Sequence, residues 1–194
     1  HLCEICRASL KPRLLTMEAT CFHGSRPVHH AFPFEPPVRN LILALKYAGR
    51  VSVVEELTAL SLPVVSNLVA AGIDSVEAVP LHRVRRRERG FNQSELLARR
   101  LAAETGCPMS SALSRSMNTR PQVNLPRDQR LKNPLGAFVV EEGVRVQGSV
   151  LLLDDVVTTG ATMSSAAKAL MDAGAREVVC FAIAGTEGHG PESG

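Results

Sequence analysis

Two adjacent carboxylates, Asp154 and Asp155, stand where an apolar run meets a turn rich in threonine and glycine. The run at residues 150–153 is unbroken, which is typical of a strand buried on both faces of a parallel sheet. Apolar residues at helical spacing follow the turn and predict a helix. Because ligands of open α/β sheets bind beyond the carboxyl ends of the strands, the sequence predicts a ligand site here that includes both carboxylates.

The turn after the carboxylates has the composition of an anion site. Its hydroxyls and successive backbone N–H groups lie at a predicted helix N-terminus, where phosphate is the anion we expect, and Gly160 lets the backbone approach it closely. The carboxylates repel phosphate and instead suit vicinal hydroxyls or a hard cation such as Mg²⁺. Together these groups indicate a phosphorylated sugar. The predicted phosphate-binding residues are Thr158, Thr159, Gly160, Ala161 and Thr162.

This stretch resembles the phosphoribosyl-pyrophosphate (PRPP) loop of type I phosphoribosyltransferases, in which an apolar strand, two acids and Thr-Thr-Gly-x-Thr follow one another. The alternative is an ordinary strand–turn–helix unit whose exposed acids cap a helix. The resemblance implies an α/β fold with a type I phosphoribosyltransferase-like parallel sheet flanked by helices. It also implies that Asp154 and Asp155 bind the ribose hydroxyls and act as the catalytic residues.

The composition limits the classes of protein to consider. The 194 residues suit one domain with an appendage, and 45% apolar residues suffice for a core. The absence of Trp and the single Tyr argue against broad aromatic stacking surfaces. The net charge is only +3, but arginines cluster at residues 83–89 and 115–130, which points to anionic ligands. We find no apolar span of bilayer length and no signal-peptide pattern, so we expect a cytoplasmic protein without membrane insertion.

The five cysteines favour a reduced compartment and a metal site over a disulfide framework. A C-x-x-C pair and a third cysteine near the N-terminus predict a small zinc-knuckle-like module with a structural Zn²⁺. The alternative is a metal-free knuckle held by packing. The predicted ligands are Cys3, Cys6, Cys21 and His23, and the rival fourth ligands are His1, His29 and His30.

The remaining chain divides into predicted elements. Residues 26–37 are rich in proline and histidine and predict a linker. We therefore expect a Cys/His module with its linker at 1–36, a phosphoribosyltransferase-like domain at 37–186 and a flexible tail at 187–194. Within the domain, the pattern predicts a helix ending at Gly49, a helical stretch at 53–71 broken at Pro63, strands at 76–79 and 178–183, a helix capped by Asn92, and a hairpin of 137–140 with 144–146.

Basic residues follow the first predicted core strand. In type I phosphoribosyltransferases the loop after this strand binds pyrophosphate, and the arginines that follow suit bidentate phosphate contacts. The alternative is an ordinary loop and a solvated basic face. Lys46, near a helix C-terminus, is either a partner of the helix dipole or a cation facing the site. The residues to which the resemblance gives the pyrophosphate are Pro80, Leu81, His82, Arg83, Arg85, Arg87 and Arg89.

The stretch at 114–135 is long, polar and without clear periodicity. A loop of this length in a compact domain is usually a lid or a disordered tract, and its arginines and Gln122 favour a lid that closes over a phosphorylated ligand. The alternative is a mobile surface loop without a catalytic part. The residues assigned to the lid or active-site loop are Lys46, Arg120, Gln122 and Arg130.

Nearly the whole chain resembles the ComF family of competence-related phosphoribosyltransferase-like proteins. The resemblance rests on ordered motifs, with one departure in the incomplete cysteine set: Leu45-Lys46-Tyr47-Ala48-Gly49, Pro80-Leu81-His82, Gly90-Phe91-Asn92-Gln93, the acidic loop, and a middle segment with Arg115, Thr119, Gln122, Leu125, Arg130, Asn133 and Gly136-Ala137-Phe138.

The family resemblance implies an enzyme that binds PRPP with Mg²⁺ and transfers phosphoribose, with release of pyrophosphate, in natural transformation or DNA uptake. The sequence does not identify the acceptor, and a fold alone does not establish turnover. One alternative is a non-enzymatic protein that handles single-stranded DNA with the competence machinery. Another is a regulator that senses PRPP. Whether the protein forms a homodimer stays open.

Overall fold

The computed structural model describes residues 2–21, 24–115 and 137–186. Strands and helices follow one another along this chain in short groups of one kind. The strands are β1 (Leu15–Cys21), β2 (Gly24–Pro33), β3 (Ser75–Ala78), β4 (Leu113–Arg115), β5 (Phe138–Val140), β6 (Ser149–Val157) and β7 (Glu177–Gly185). The helices are α1 (Glu4–Ser9), α2 (Val38–Ala48), α3 (Val53–Ala70), α4 (Arg83–Arg89), α5 (Gln93–Thr105) and α6 (Ala161–Asp172).

The main sheet has the strand order β1-β2-β7-β6-β3. Strands β2, β7, β6 and β3 are parallel, and β1 joins β2 antiparallel at the edge. The central strand β6 therefore has parallel neighbours on both sides, with Leu152 opposite Cys180 and Asp154 opposite Ala182. The predicted parallel sheet is confirmed, with one antiparallel edge strand in addition.

The apolar run of β6 divides between the two faces of the sheet. Leu151 and Leu153 belong to the core formed with α2, α3 and α5, whereas Val150 and Leu152 belong to the core formed with α6 and the β4–β5 hairpin. Successive side chains of a strand point to opposite faces. The run is continuous because both faces are covered.

Several local signals act as the sequence predicts. Helix α2 ends at Gly49, whose φ of 61° is left-handed, and Asn92 caps α5 by accepting a hydrogen bond from the Ser94 N–H at 3.2 Å. The predicted strand at 178–183 lies within β7. These signals depend on neighbouring residues only.

The prediction of a linker at 26–37 is wrong for most of its length. Strand β2 lies between β1 and β7, and its residues Val28 and Phe32 are buried opposite Cys180 and Ala184 of β7. The proline and histidine content obscures these apolar positions, whose burial depends on the distant strand β7.

The predicted break at Pro63 is also wrong, because α3 runs unbroken through this residue. An internal proline costs about 3 kcal/mol or more, and the buried face of α3 against α2 and α5 offsets that cost. Within this helix, the Ser61 hydroxyl donates to the Leu57 carbonyl at 2.6 Å. Contrary to expectation, α3 is long and apolar enough to cross a membrane by length and composition, but half of it is buried inside the protein, as in a core helix.

The predicted hairpin of residues 137–140 with 144–146 does not form. Strand β5 pairs instead with β4, with Leu113 opposite Val140 and Arg115 opposite Phe138. The partner precedes the long polar segment rather than following the strand. This pairing brings Arg115 next to a buried aromatic ring.

The N-terminal region is attached to the main domain. Two guanidinium nitrogens of Arg7 in α1 each donate a hydrogen bond of 2.8 Å to the carboxylate of the buried Glu56 in α3. Strands β1 and β2 belong to the main sheet. A separate cysteine-rich module is not confirmed.

Candidate ligand-binding site

The two carboxylates lie near the carboxyl end of β6, where the sequence predicts them. Because they alternate along the strand, they point to different surroundings. Asp155 is only 2% exposed, whereas Asp154 is half-buried. The two acids are therefore not equivalent, although they are neighbours in the sequence.

Asp155 forms a buried ion pair. The Nζ of Lys46, in the last turn of α2, lies 2.9 Å from its Oδ1, and the two side chains are 17% and 3% exposed. The Oδ2 atom of Asp155 is buried and has no hydrogen-bond partner among the described residues. Of the two readings of Lys46, the structure supports the cation that faces the site.

Asp154 is held by hydrogen bonds. Its Oδ1 accepts from the Ser94 hydroxyl at 2.6 Å and from the Asp155 N–H at 2.8 Å. Burial and the charge of Asp155 raise the pKa of Asp154 from 3.8 to about 7. The Ser94 hydrogen bond and the charge of Lys46 act in the opposite direction. The acid pair thus has one nearby lysine and a carboxyl group that titrates near neutrality.

The turn after β6 opens toward solvent. Thr158, Thr159 and Thr162 are exposed, and α6 begins after Gly160 without a side-chain cap. The Ala161 N–H donates to the Thr159 Oγ1 at 3.4 Å, and the other N–H groups of a helix's first turn have no partner within the helix. The phosphate site stays a prediction.

Gly160 has a structural role beyond ligand approach. Its φ is 73°, and a Cβ at this position would overlap the Cβ of Ala19 and lie 3.0 Å from the Ala19 Cα. The edge strand β1 therefore packs against the turn so closely that only glycine fits. The sequence predicts that Gly160 lets the backbone approach a ligand closely. The structure adds that Gly160 is needed because β1 packs against it.

The basic segment after β3 forms a loop and then α4. Asn92 fixes the loop by donating to the Val79 carbonyl at 3.1 Å, and the His82 Nδ1 caps α4 by accepting from the Val84 N–H. A cavity of about 510 Å³ lies between α4 and the end of α2. It is lined by Lys46, Tyr47, Ala48, Gly49, Arg85, Glu88, Arg89 and Phe91.

The predicted pyrophosphate residues divide into two groups. Arg85 and Arg89 line the cavity with Lys46, and the Arg89 guanidinium lies 5.3 Å from the ring centroid of Tyr47. The others are not part of the cavity lining; they are Pro80, Leu81, His82, Arg83 and Arg87.

Two residues near Asp154 were not predicted as site residues. Ser94 holds the carboxylate, and Arg115 lies half-buried over the Phe138 ring at 5.1 Å, with its Nε lacking a partner among the described residues. Burial and the charge of Arg85 lower the pKa of Arg115, and the charge of Asp154 opposes this. The sequence signal that could have identified Arg115 as a site residue is its place in the family's middle-segment motif. For Ser94, the signal is its position two residues after the helix-capping Asn92.

Several predicted residues lie outside the described residues. They are His23 and the loop residues Arg120, Gln122 and Arg130, as well as the side chain of Cys21. In the described part, the Cys6 N–H donates to the Cys3 Sγ at 3.4 Å and lowers the pKa of Cys3. No group of three or more His, Cys, Asp or Glu residues suited to a metal ion occurs in that part. The zinc site stays a prediction.

Comparison with known proteins places this chain in a family. The family described as phosphoribosyl transferase domain matches residues 89–192. The chain is 35% identical to DNA utilization protein YhgH of Escherichia coli over 159 residues, which are 79% of this chain and 69% of that protein. It is 31% identical to Competence protein F of Haemophilus influenzae over 57% of this chain and 50% of that protein.

Among solved structures, the glutamine PRPP amidotransferase of B. subtilis, complexed with ADP and GMP, is 23% identical with a TM-score of 0.45. The match covers 68% of this chain and 26% of the amidotransferase, so the chain spans about a quarter of that protein. The domain match over more than half of the chain, together with the identity to the DNA-utilization and competence proteins, shows that the chain belongs to the ComF family of phosphoribosyltransferase-like proteins.

Proposed function

We propose that this protein binds PRPP with Mg²⁺ and transfers phosphoribose to an acceptor, with release of pyrophosphate. The proposal rests on one observation: two carboxylates near the carboxyl end of β6 are followed directly by an exposed helix N-terminus without a side-chain cap. Acids suit the hydroxyls of a sugar, and the helix end suits its phosphate. The order of these groups along the chain matches a sugar that carries a 5-phosphate.

The sugar is bound through its two polar ends. The 5-phosphate accepts hydrogen bonds from the turn at 158–162, and the ribose hydroxyls donate to the acids. Asp154 is the more accessible acceptor, since it is half-buried, whereas Asp155 is closed off by Lys46. Negative charge close to the anomeric carbon stabilises an oxocarbenium-like transition state.

The donor set fits Mg²⁺. This ion prefers oxygen ligands and is commonly bound by one or two carboxylates together with substrate phosphates, so Asp154 and Asp155 suffice on the protein side. When bound, the ion supplies positive charge that neutralises the phosphates of the substrate.

The leaving pyrophosphate occupies the cavity lined by Lys46, Arg85 and Arg89. The bond from the anomeric carbon to pyrophosphate breaks with its electron pair on the leaving oxygen. A lone pair of the acceptor forms the new bond to that carbon, and the acceptor then loses its proton to solvent. No protein nucleophile is needed, because positioning and charge supply the catalysis.

Calorimetry with PRPP and Mg²⁺ tests the proposal. We expect the wild type to bind, and Asp154→Asn/Asp155→Asn to lose most of the affinity because the hydroxyl acceptors lose their charge. Asp172→Asn is the matched control, since this acid is exposed and pairs with Lys168 on α6. A wild type that gives no heat would refute PRPP binding. Binding without pyrophosphate release across a panel of bases would favour the PRPP-sensing regulator.

A second candidate is a protein that handles single-stranded DNA in the cytoplasm with the competence machinery. The exposed Arg86 and Arg87 of α4, outside the cavity, and the names of the relatives favour it. The acid pair would repel a DNA backbone, and the chain has few aromatic residues for base stacking. A salt-dependent gel shift of single-stranded DNA that survives Asp155→Ala would support this role. The homodimer and a structural Zn²⁺ on Cys3, Cys6, Cys21 and His23 are further proposals, which sedimentation and metal analysis test.

A further inference from the structure

Lys46 lies between two parts of the site. Its Nζ contacts the Oδ1 of Asp155 at 2.9 Å, and the same residue lines the cavity with Arg85 and Arg89. In the proposed function the acids bind the sugar, and the cavity lined by Lys46, Arg85 and Arg89 is cationic. One ammonium group thus borders the places where opposite ends of a ligand would bind.

The ion pair is incomplete on the acid side. Asp155 is 2% exposed, yet its Oδ2 has no partner among the described residues. A buried carboxylate oxygen without a partner carries a desolvation cost that a donor from a ligand would remove. Asp155 therefore has a binding capacity that the protein does not use.

The side chain of Lys46 is suited to changing partners. A lysine ammonium is a compact point charge on a flexible four-carbon stem, unlike the planar fork of Arg85 or Arg89. It lies in the last turn of α2, before the left-handed Gly49, and its side chain is 17% exposed. A small rotation of the stem would redirect its charge without moving the helix.

We propose that Lys46 is a shared cation that pairs with Asp155 in the empty site and turns to the pyrophosphate anion when the cavity is filled. The turn frees Asp155 to accept from the ribose hydroxyls. This inference rests on the proposed function, and it adds that the pyrophosphate and sugar subsites are coupled. Binding of either ligand then strengthens binding of the other.

The direction of the coupling distinguishes this role from simple electrostatics. Two anions bound near each other repel, so without a shared cation each would weaken the other. With Lys46 as the shared cation, pyrophosphate withdraws the counter-ion of Asp155 and improves the acceptor for the sugar. Linkage requires that the effect be reciprocal.

Calorimetry measures this coupling with two stable ligands, ribose 5-phosphate and inorganic pyrophosphate, each with Mg²⁺. We expect saturating pyrophosphate to tighten ribose 5-phosphate about 5-fold or more in the wild type, and the reverse order to give the same factor. Lys46→Gln removes the coupling and weakens pyrophosphate binding. The control Lys168→Gln loses the same charge at an exposed pair that neither lines the cavity nor contacts the acids, and it keeps the coupling.

Lys46→Gln leaves Asp155 without its counter-ion and can impair folding. The variant Lys46→Gln/Asp155→Asn restores a neutral hydrogen-bonding pair and serves when the single variant does not fold. It should bind both ligands without positive coupling. Coupling that survives in the folded Lys46 variants overturns the inference.

Measurements on the wild type distinguish a failure of the Lys46 inference from a failure of the proposed function. Binding of both ligands without positive coupling overturns the role of Lys46 and leaves the proposed function intact. Failure of the wild type to bind either ligand overturns the proposed function and the inference together. A merely structural role of Lys46 would lower stability without changing the coupling factor in the folded variants.

Discussion

The end of β6 and the turn that follows it differ in how far the protein itself satisfies their polar groups. At the acids, Lys46 and Ser94 already contact Asp155 and Asp154. At the turn, the threonines are exposed and α6 has no side-chain cap. A ligand must exchange short protein contacts at the acids, whereas at the turn the bond from the Ala161 N–H to the Thr159 Oγ1 is long, at 3.4 Å.

This difference separates affinity from selectivity. Under the proposed function, the open turn would accept any phosphate, because backbone N–H groups do not distinguish one phosphate ester from another. The acids would accept only a ligand whose hydroxyls or cation replace the existing contacts. Selectivity for a sugar therefore depends on the half of the site that the protein holds in place.

The largest change in unfolding free energy should come from removing Lys46, the partner of Asp155. Lys46→Ala leaves Asp155 buried without a counter-ion, which we expect to cost about 3–5 kcal/mol in the free energy of unfolding. Denaturant titration measures the loss. Lys168→Ala, at an exposed pair with Asp172, should cost under ~1 kcal/mol. Equal losses at the two lysines would contradict the burial of the Lys46 pair.

The turn is open to solvent but restricted on its protein side. Gly160→Ala should destabilise by about 2–5 kcal/mol, from a left-handed φ and from overlap with Ala19. Gly143→Ala is the matched control, because its φ is 84° but a Cβ there meets nothing within 4 Å. Thermal melts that give the same loss for both glycines would show that the contact with β1 is unimportant.

The raised pKa of Asp154 predicts that stability falls as pH rises. The carboxyl group keeps its proton up to pH about 7 in the folded protein, but only to about 3.8 when unfolded, so the folded state binds more protons between these values. We expect a loss of about 1–2 kcal/mol from pH 5 to 8, since one pKa unit is worth about 1.4 kcal/mol and partial exposure reduces the effect.

Asp154→Asn isolates this contribution. Unfolding free energies of the variant should depend less on pH than those of the wild type. A residual slope of the same sign is expected from Glu77, whose pKa is also raised by burial. An unchanged slope in the variant would mean that Asp154 titrates normally.

The smallest effect concerns the hydrogen bond that fixes Asp154. Ser94→Ala removes a donor at 2.6 Å and should cost about 1 kcal/mol. It should also raise the pKa of Asp154 further, since this bond lowers it. Carboxyl NMR titration measures the shift, with Ser66→Ala, an exposed helical serine, as the control. A pKa unchanged by Ser94→Ala would place Asp154 outside the influence of this bond.

The sequence by itself determined the features that depend on neighbouring residues. The apolar run, two acids and a threonine-rich turn predicted β6, the position of both acids near its carboxyl end and the start of α6. Gly49 and Asn92 likewise marked where α2 ends and α5 begins. Glycine and asparagine act through their own backbone conformation and capping, which a sequence displays directly.

Only the tertiary structure decided which distant groups meet. The pairing of Lys46 with Asp155, the contact of Ala19 with Gly160, and the strand β2 inside the sheet all join segments far apart in the chain. Composition suggested a linker for β2, because the burial of its apolar residues depends on β7 beside it. The two acids are identical in the sequence, and they became different because Lys46 of α2 contacts Asp155 whereas Ser94 of α5 contacts Asp154.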